Sequence, residues 1–293
     1  MMNFKCIEDL VQQAERKNRP IYELILEYEG EKSQMERADI LAAMKKNWQV
    51  MKASAERGIA NQEKSNSGLV GGDAKKVSDY LEQGYTGKIV LKAAAYAIGI
   101  SEVNAIMGKI VACPTAGSCG ILPAAILAVS EEKKFTQEQI INALFTAAGI
   151  GMVIAQNASI SGAEGGCQAE CGSAAAMAAA ALVELAGGSP EQVAQSVALA
   201  LKNFLGLVCD PVAGLVEVPC VKRNGFASIY AMLAADMAMA GVKSMIPVDE
   251  VIDAMYQIGN AMPKSLRETA EAGLAASPTA RRLENTLYGK SEA

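Results

Sequence analysis

The cysteines are the residues of this sequence best suited to chemistry. Six of the seven stand in or beside loops rich in glycine and proline: Cys113, Cys119, Cys167, Cys171, Cys209 and Cys220. A metal-binding thiolate benefits from glycine neighbours, because backbone N–H groups must point at the sulfur and the metal must fit against the chain. The seventh, Cys6, lies among Phe4, Ile7 and Leu10 and is predicted to be a small core residue.

The spacing of these cysteines does not by itself fix the metal. Zinc prefers paired knuckles, and Cys167-x3-Cys171 would be one pair, but Cys209 and Cys220 are too far apart to be the second. The chain has no histidine to complete a mixed zinc site. Iron–sulfur clusters accept scattered thiolates, yet spacing cannot choose among the six, and buried structural thiols remain the alternative.

Two loops combine hydroxyl groups with backbone N–H groups near the start of a helix. They are CPTAGSCG, residues 113–120, and SNSGLVGGD, residues 65–73. The candidate binding residues are Thr115, Gly117 and Ser118 in the first loop and Ser67 and Gly68 in the second. Such groups suit a small carboxylate, so we expect a small acid as substrate. A proline turn that only begins a helix is the alternative for the first loop.

The absence of histidine limits the mechanism. No Ser-His or Cys-His pair can form within this chain. A general base must therefore be a carboxylate, a lysine, a thiolate or a group from another polypeptide.

The elements that must position these residues are predicted to be helices. Hydrophobic residues make up 51% of the 293 residues and aromatics only 5%, so the core is built from small and aliphatic side chains that favour close helix packing. Helical spacing recurs along the chain, and no alternating run is long enough for a strand. We predict one all-α catalytic domain, residues 1–293, with an N-terminal helical arm over 1–60 and a core over 61–293 that carries the loops.

Charge and hydropathy exclude some classes of partner. The net charge of −5 without a basic stripe argues against nucleic acid. The most apolar run, residues 174–183, is too short to span a bilayer, and the N-terminus has no secretory pattern. We therefore expect a cytoplasmic protein, where disulfides are a poor explanation for the cysteines.

Three long motifs resemble one enzyme family. They are NAIMGKIVACPTAGSCGILPA, SISGAEGGCQAECGSAAAMAAAALVELAGG and LGLVCDPVAGLVEVPCVKRN. Together they resemble the catalytic domain of the iron–sulfur-dependent L-serine dehydratases, from about Ser65 onward. The chain looks like the alpha subunit of the two-chain version, in which a separate beta subunit supplies the small domain of single-chain relatives.

This resemblance implies a metal site. The family's three cluster ligands match Cys167, Cys209 and Cys220, which would hold a [4Fe–4S] cluster with one iron left open. That iron would act as a Lewis acid for loss of the substrate hydroxyl in the deamination of L-serine to pyruvate and ammonia. Cys6, Cys113, Cys119 and Cys171 fall outside the ligand pattern and are taken as ordinary thiols, although Cys171 is close enough to compete.

The resemblance also implies a substrate site and a partner. The family's PT-x-G motif matches Pro114, Thr115 and Gly117, which with Ser118 would hold the substrate, and Ser67 and Gly68 are a second choice. In single-chain relatives a histidine motif of the small domain faces the active site, so we expect the beta subunit to supply a catalytic histidine. Residues 222–224 are predicted to be a solvated helix start.

Other functions fit the same sequence. A cysteine desulfidase, or a β-elimination lyase acting on another β-hydroxy amino acid such as threonine, would use the same open iron. An iron–sulfur electron carrier or sensor, or a helical binding module with buried thiols, belongs to a different class. Turnover of L-serine and L-cysteine, substrate-dependent cluster spectra and iron analysis separate these alternatives.

Overall fold

The structure is a computed structural model that describes residues 4–289, and 69% of the chain is helical, with no strands in the described range. This confirms the predicted all-α fold. The α-helices are α1 (Ile7–Lys17), α2 (Ile21–Ser33), α3 (Arg37–Ala60), α4 (Asp73–Asp79), α5 (Lys88–Ala105), α6 (Ile121–Lys133), α7 (Gln137–Asn157), α8 (Gly162–Gly165), α9 (Ser173–Leu185), α10 (Pro190–Lys202), α11 (Cys220–Met239), α12 (Val248–Ala261) and α13 (Pro278–Tyr288).

Helix α9 is the centre of the core. Every residue of α9 except Glu184 is buried, and most are alanine. Small side chains let neighbouring helices approach closely, and α6, α7, α10 and α11 all pack around α9. The most apolar run of the sequence is therefore an interior helix.

Helices α7 and α10 each begin with a capping box. The Thr136 side chain accepts a hydrogen bond from the Gln139 N–H, and Ser189 does the same with Gln192. In both cases the glutamine side chain accepts from the N–H of the capping residue in return, which completes a capping box. Pro190 occupies the first turn of α10, where its missing N–H costs nothing.

Helices α3 and α5 cross without intervening side chains. A Cβ atom on Gly58 would lie 2.3 Å from the Gly99 backbone, so the two helices meet glycine to glycine. Helix α5 in turn packs on α11 and α6, which carry or adjoin the candidate loops. The contact between Gly58 and Gly99 therefore fixes the distance between α3 and the helices that adjoin the candidate loops.

The N-terminal helices share the main hydrophobic core. Phe4, Ile7 and Leu10 are fully buried in it, α1 packs on α10 and α12, and α2 packs on α7. The prediction that Cys6 is a small core residue is wrong. It is partly exposed and caps α1, its sulfur accepting a hydrogen bond from the Asp9 N–H.

Helix α7 is the one helix in the described range long and apolar enough to cross a membrane by length and composition. Two thirds of its most apolar window (67%) is buried inside the protein, where α7 packs against α9 and α2. A buried core helix meets the same criteria.

Short helical turns connect the loops of interest. A π-helical turn, Gln168–Gly172, leads directly into α9, and 3₁₀ turns lie at Val212–Gly214, Lys264–Leu266 and Gly273–Ala276. An isolated bridge joins Cys209 to Arg267 in parallel. These segments bring distant parts of the chain to the face where α9 and α11 begin.

Candidate active site

The three cysteines of the ligand motif lie in three differently structured segments. Cys167 directly precedes the π-helical turn, Cys209 lies in an extended loop, and Cys220 is the first residue of the 20-residue helix α11. Cys167 and Cys209 are buried, and Cys220 is partly buried. The N-terminus of a long helix favours negative charge, which suits a thiolate at Cys220.

The backbone of Cys209 is bonded on both sides by the C-terminal region. Its N–H donates to the Leu266 carbonyl oxygen over 2.9 Å, and its own carbonyl oxygen accepts from the Glu268 N–H over 2.7 Å. The next residue, Asp210, accepts from the Leu274 N–H over 2.8 Å. The position of the Cys209 sulfur therefore depends on residues about sixty positions later in the chain.

Gln168 holds the segment that carries Cys167 in place. Its side-chain amide is fully buried, donating to the Met255 carbonyl oxygen and accepting from the Gly206 N–H, each over 2.9 Å. Its backbone N–H donates to the Leu207 carbonyl oxygen over 3.0 Å. Gln168 therefore joins the segment that carries Cys167 both to α12 and to the loop that leads to Cys209.

The three thiols affect one another electrostatically. Burial raises the pKa of Cys209 well above its usual range, and the charges of Cys167, Glu170 and Cys220 raise it further. Burial also raises the pKa of Cys220 to about 12, with contributions from Cys167 and Glu170. The structure therefore brings Cys167, Cys209 and Cys220 within Coulombic reach of one another, although they are spread over 54 sequence positions.

Cys167 is the thiol most ready to ionise. Its sulfur lies 3.3 Å from that of Cys171. The contact with Cys171 and the nearby Arg223 guanidinium outweigh burial and lower the pKa of Cys167. The same contact and burial raise the pKa of Cys171. Cys113 and Cys119 form a separate buried pair, in which the Cys113 thiol donates to the Cys119 carbonyl oxygen.

Within residues 4–289, no three Cys, Asp or Glu side chains converge closely enough to hold a single metal ion. A polynuclear cluster does not require its thiolates to converge on one point, because each thiolate binds a different iron.

Thr115 is joined to this group through Glu170. The Thr115 hydroxyl donates to Glu170 Oε1 over 2.8 Å and lies 3.1 Å from the Ser118 hydroxyl. Ser118 is fully buried, so in this conformation it acts on a ligand only through Thr115. A Cβ atom on Gly117 would lie 3.3 Å from Glu170 Oε1, which leaves the loop close against this carboxylate.

Glu170 lies between the hydroxyl loop and the thiols. Its Oε2 atom is 3.9 Å from the Cys209 sulfur and would be 2.7 Å from a Cβ atom on Gly162. Burial raises the pKa of Glu170, although the hydrogen bond from Thr115 opposes the shift. The glycine at 162 is thus what gives the carboxylate room beside Cys209.

The second hydroxyl loop is held in the same way by Glu217. The Ser65 hydroxyl donates to Glu217 Oε2 over 2.7 Å, and the Ser67 hydroxyl donates to the same oxygen. Gly68 adopts a positive φ of 76°, and its N–H donates to the Ser65 carbonyl oxygen within the turn. The Gly68 N–H is therefore engaged inside the loop rather than presented to a ligand.

The expected solvated helix start at residues 222–224 is wrong for two of the three residues. Asn224 is fully buried and bonds to the carbonyl oxygen of Gly117 and the N–H of Gly120. Arg223, whose side chain is 19% exposed, donates to Asp210 and to the Val208 carbonyl oxygen. Lys222 is more exposed and pairs with Asp73. The first turn of α11 therefore braces both loops instead of facing solvent.

Sequence reasoning missed Glu170, Glu217 and Gln168. The sequence did contain a signal for them, since each is a polar residue inside an otherwise apolar cysteine motif. Burial of a polar or charged side chain costs free energy unless the side chain has a hydrogen-bonding partner. The identity of that partner was not visible, because each pairs with a residue 38 or more positions away.

Comparison with known proteins places the same residues in one family. Residues 16–275 match the family model described as serine dehydratase alpha chain. The chain is 52% identical over 288 residues to a Bacillus subtilis protein named probable L-serine dehydratase, alpha chain, covering 98% of this chain and 96% of that protein. It is 45% identical to the L-serine dehydratase alpha chain of Peptoniphilus asaccharolyticus, over 93% of this chain and 94% of the relative.

A longer relative covers the chain within a larger protein. The L-serine dehydratase of Streptomyces coelicolor is 37% identical over 280 residues, which are 93% of this chain but only 60% of that protein. Every residue of the candidate site lies inside the matched family region, so the chain belongs to the serine dehydratase alpha-chain family.

Proposed function

We propose that this chain is the alpha subunit of an L-serine dehydratase, which eliminates water from L-serine and yields pyruvate and ammonia. The observation that carries the proposal is the near full-length similarity to two proteins named L-serine dehydratase alpha chain, across the whole of the candidate site. The elimination breaks the Cα–H and Cβ–O bonds, and the enamine product then tautomerises and hydrolyses to pyruvate and ammonia.

The residues of the site fit a [4Fe–4S] cluster held by Cys167, Cys209 and Cys220. Supporting observations are three thiols from three segments within Coulombic reach, the lowered pKa of Cys167, and the position of Cys220 at the start of α11. When bound, such a cluster with an open iron supplies Lewis-acid assistance to the departing hydroxyl.

We assign the binding and orientation of the substrate to the two hydroxyl loops. The Thr115 hydroxyl and Gly117 lie against Glu170, whose Oε2 atom is 3.9 Å from the Cys209 sulfur, and Ser67 lies on the second loop. Arg223 supplies a fixed positive charge beside Cys167, which compensates thiolate charge in a buried site. Asn224 holds the first loop at a constant distance from α11.

The proton acceptor is proposed to lie on a partner. Because the sequence has no histidine, we infer that a beta subunit supplies a histidine to the open side of the site, and that the two chains act together in the cytoplasm. The Streptomyces coelicolor relative, which extends well beyond the matched region, is consistent with an additional domain in the complete enzyme.

Anaerobic co-purification with the beta subunit, followed by iron and sulfide analysis and a pyruvate assay, tests the proposal. We expect L-serine turnover by the complex and none by the reconstituted alpha chain alone. Full activity of the alpha chain alone would refute the partner-supplied base. Turnover of L-cysteine without turnover of L-serine would replace the proposed activity with desulfidation.

A further inference from the structure

Glu217 is a buried carboxylate with an unusual set of partners. The residue is 7% exposed, and its Oε2 atom accepts hydrogen bonds from both Ser65 and Ser67. Among the described residues no lysine or arginine pairs with it, because Lys222 and Arg223 are engaged by Asp73 and Asp210. A buried charge without a cation retains a strong preference for one.

The hydrogen bonds around Ser67 leave its oxygen as an acceptor. A hydroxyl has one proton, and Ser67 donates that proton to Glu217. One lone pair accepts from the Leu69 N–H over 3.1 Å. Ser67, which is partly exposed, therefore keeps one lone pair that these two hydrogen bonds do not use, beside a buried carboxylate, whereas a group that binds a carboxylate must offer a proton.

Ser65 supports the same arrangement from the interior. Its hydroxyl lies 3.0 Å from that of Ser67 and also donates to Glu217, so it has no proton left for Ser67. Its backbone N–H and the Val70 carbonyl oxygen close the loop over 3.0 Å. The loop is thus fixed with its hydroxyl protons directed inward, toward the segment that ends at Cys220.

We propose that Glu217 is a positioning residue that makes Ser67 the acceptor for the α-ammonium group of the amino-acid substrate. This inference rests on the proposed L-serine dehydratase function and specifies which substrate group this loop binds. It revises the expectation of a carboxylate site at residues 65–73, because the negative charge of Glu217 repels a carboxylate there.

The test uses the anaerobically prepared complex with its beta subunit and two ligands. L-serine carries the ammonium group, and 3-hydroxypropionate keeps the carboxylate and hydroxyl but lacks it. We expect Glu217→Gln and Ser67→Ala each to raise the KM for L-serine about tenfold or more, since a charge-assisted hydrogen bond is lost. The inhibition constant of 3-hydroxypropionate and the iron content should stay within about twofold of the wild-type values.

A double variant shows whether the two residues act through each other. Because Glu217 acts through Ser67, the Glu217→Gln, Ser67→Ala pair should raise the KM no more than the larger single effect. Multiplicative effects, or equal weakening of L-serine and 3-hydroxypropionate, would overturn the inference. Ser67→Ala leaves Glu217 bonded to Ser65, so it remains informative if Glu217→Gln does not fold.

A matched control is available elsewhere in the core. Thr146 donates to Glu184 over 2.7 Å, which is another hydroxyl–carboxylate pair on helices away from the loops. Glu184→Gln should leave the KM for both ligands unchanged. If the wild-type complex fails to dehydrate L-serine, the proposed function is at fault; if it is active but the variants do not discriminate the ligands, only the role of Glu217 fails.

Discussion

The side-chain amide of Asn224 donates to the Gly117 carbonyl oxygen over 2.7 Å and so ties the PT-x-G loop to helix α11. The same amide nitrogen donates to the Cys220 carbonyl oxygen over 2.9 Å, and its oxygen accepts from the Gly120 N–H over 2.9 Å. Both N–H groups and the oxygen of one fully buried side chain thus join the PT-x-G loop to Cys220, the last cysteine.

Replacement of Asn224 by aspartate should be strongly destabilising. The new carboxylate would face the carbonyl oxygens of Gly117 and Cys220 with no proton to offer, and it would be buried. We expect a loss of about 3 kcal/mol or more in the free energy of unfolding, measured with urea. Asn47→Asp, at an exposed position in α3, is the matched control and should change it by less than about 0.5 kcal/mol. Equal losses in both variants would contradict the bracing role.

Serine variants of the cysteines should fall into two groups that differ in the iron content of the protein. Cys167→Ser, Cys209→Ser and Cys220→Ser should each lose most of the iron and sulfide after anaerobic reconstitution, because a serine hydroxyl is a poor substitute for a thiolate. Cys113→Ser and Cys119→Ser, which remove buried thiols outside the group, should retain them. Circular dichroism of each variant checks that the helices remain. Undiminished iron in the first group would remove the proposed ligand set.

Gly162→Ala should damage the site through one methyl group. The added carbon would lie 2.7 Å from Glu170 Oε2 and 3.0 Å from the Cys209 sulfur, so the carboxylate or the thiol must move. We expect at least a tenfold loss in kcat/KM with little change in helix content. Gly30→Ala is the control, since a Cβ atom there meets nothing closer than 3.8 Å and alanine favours the α2 helix by about 0.5–1 kcal/mol. Full activity of Gly162→Ala would show that the site tolerates this crowding.

Glu184→Gln should stabilise the protein, and only at higher pH. Burial raises the pKa of Glu184, although the Thr146 hydroxyl bonds to it. A carboxyl whose pKa is raised by folding contributes stability that is complete below its unfolded pKa of about 4.3 and is lost as the pH rises through the folded value. Glutamine does not ionise, so we expect an advantage on the order of 1 kcal/mol at pH 8 that vanishes near pH 4.

Urea unfolding at pH 4, 6 and 8 measures this difference. Glu132→Gln, at an exposed position in α6, should show no such pH dependence. A Glu184→Gln advantage that is constant with pH would mean that side-chain packing, and not ionisation, is responsible.

The helical elements were predictable because their signals are local. Thr136 and Ser189 lie three residues before a glutamine at the start of an apolar periodic run, which is a complete capping signature within four residues. The buried Ala-rich helix α9 followed from composition in the same way. The π-helical turn after Cys167 carries no comparable sequence signature, and such turns are frequent at functional sites.

The hydrogen bonds that hold the candidate loops in place were not predictable from the hydrophobic periodicity of the sequence. The Thr115–Glu170 and Ser65–Glu217 hydrogen bonds join residues that are 55 and 152 positions apart in the sequence. The residues next to each glutamate in the sequence therefore do not indicate which side chain bonds to it. Asn224 was mistaken for a solvated residue because lysine, arginine and asparagine are mostly exposed in folded proteins. Its burial results from the packing of α11 on α5 and α6, which is a tertiary property.

The double hydrogen bond between Cys209 and residues 266–268 has a consequence for the order of folding. Contacts between residues about sixty positions apart form after the helices between them have condensed, because closing a long loop costs entropy that local contacts do not. The loop that carries Cys209 therefore takes its final form late. A chain truncated before residue 266 should keep its helix content by circular dichroism and lose the iron that we propose Cys209 helps to hold.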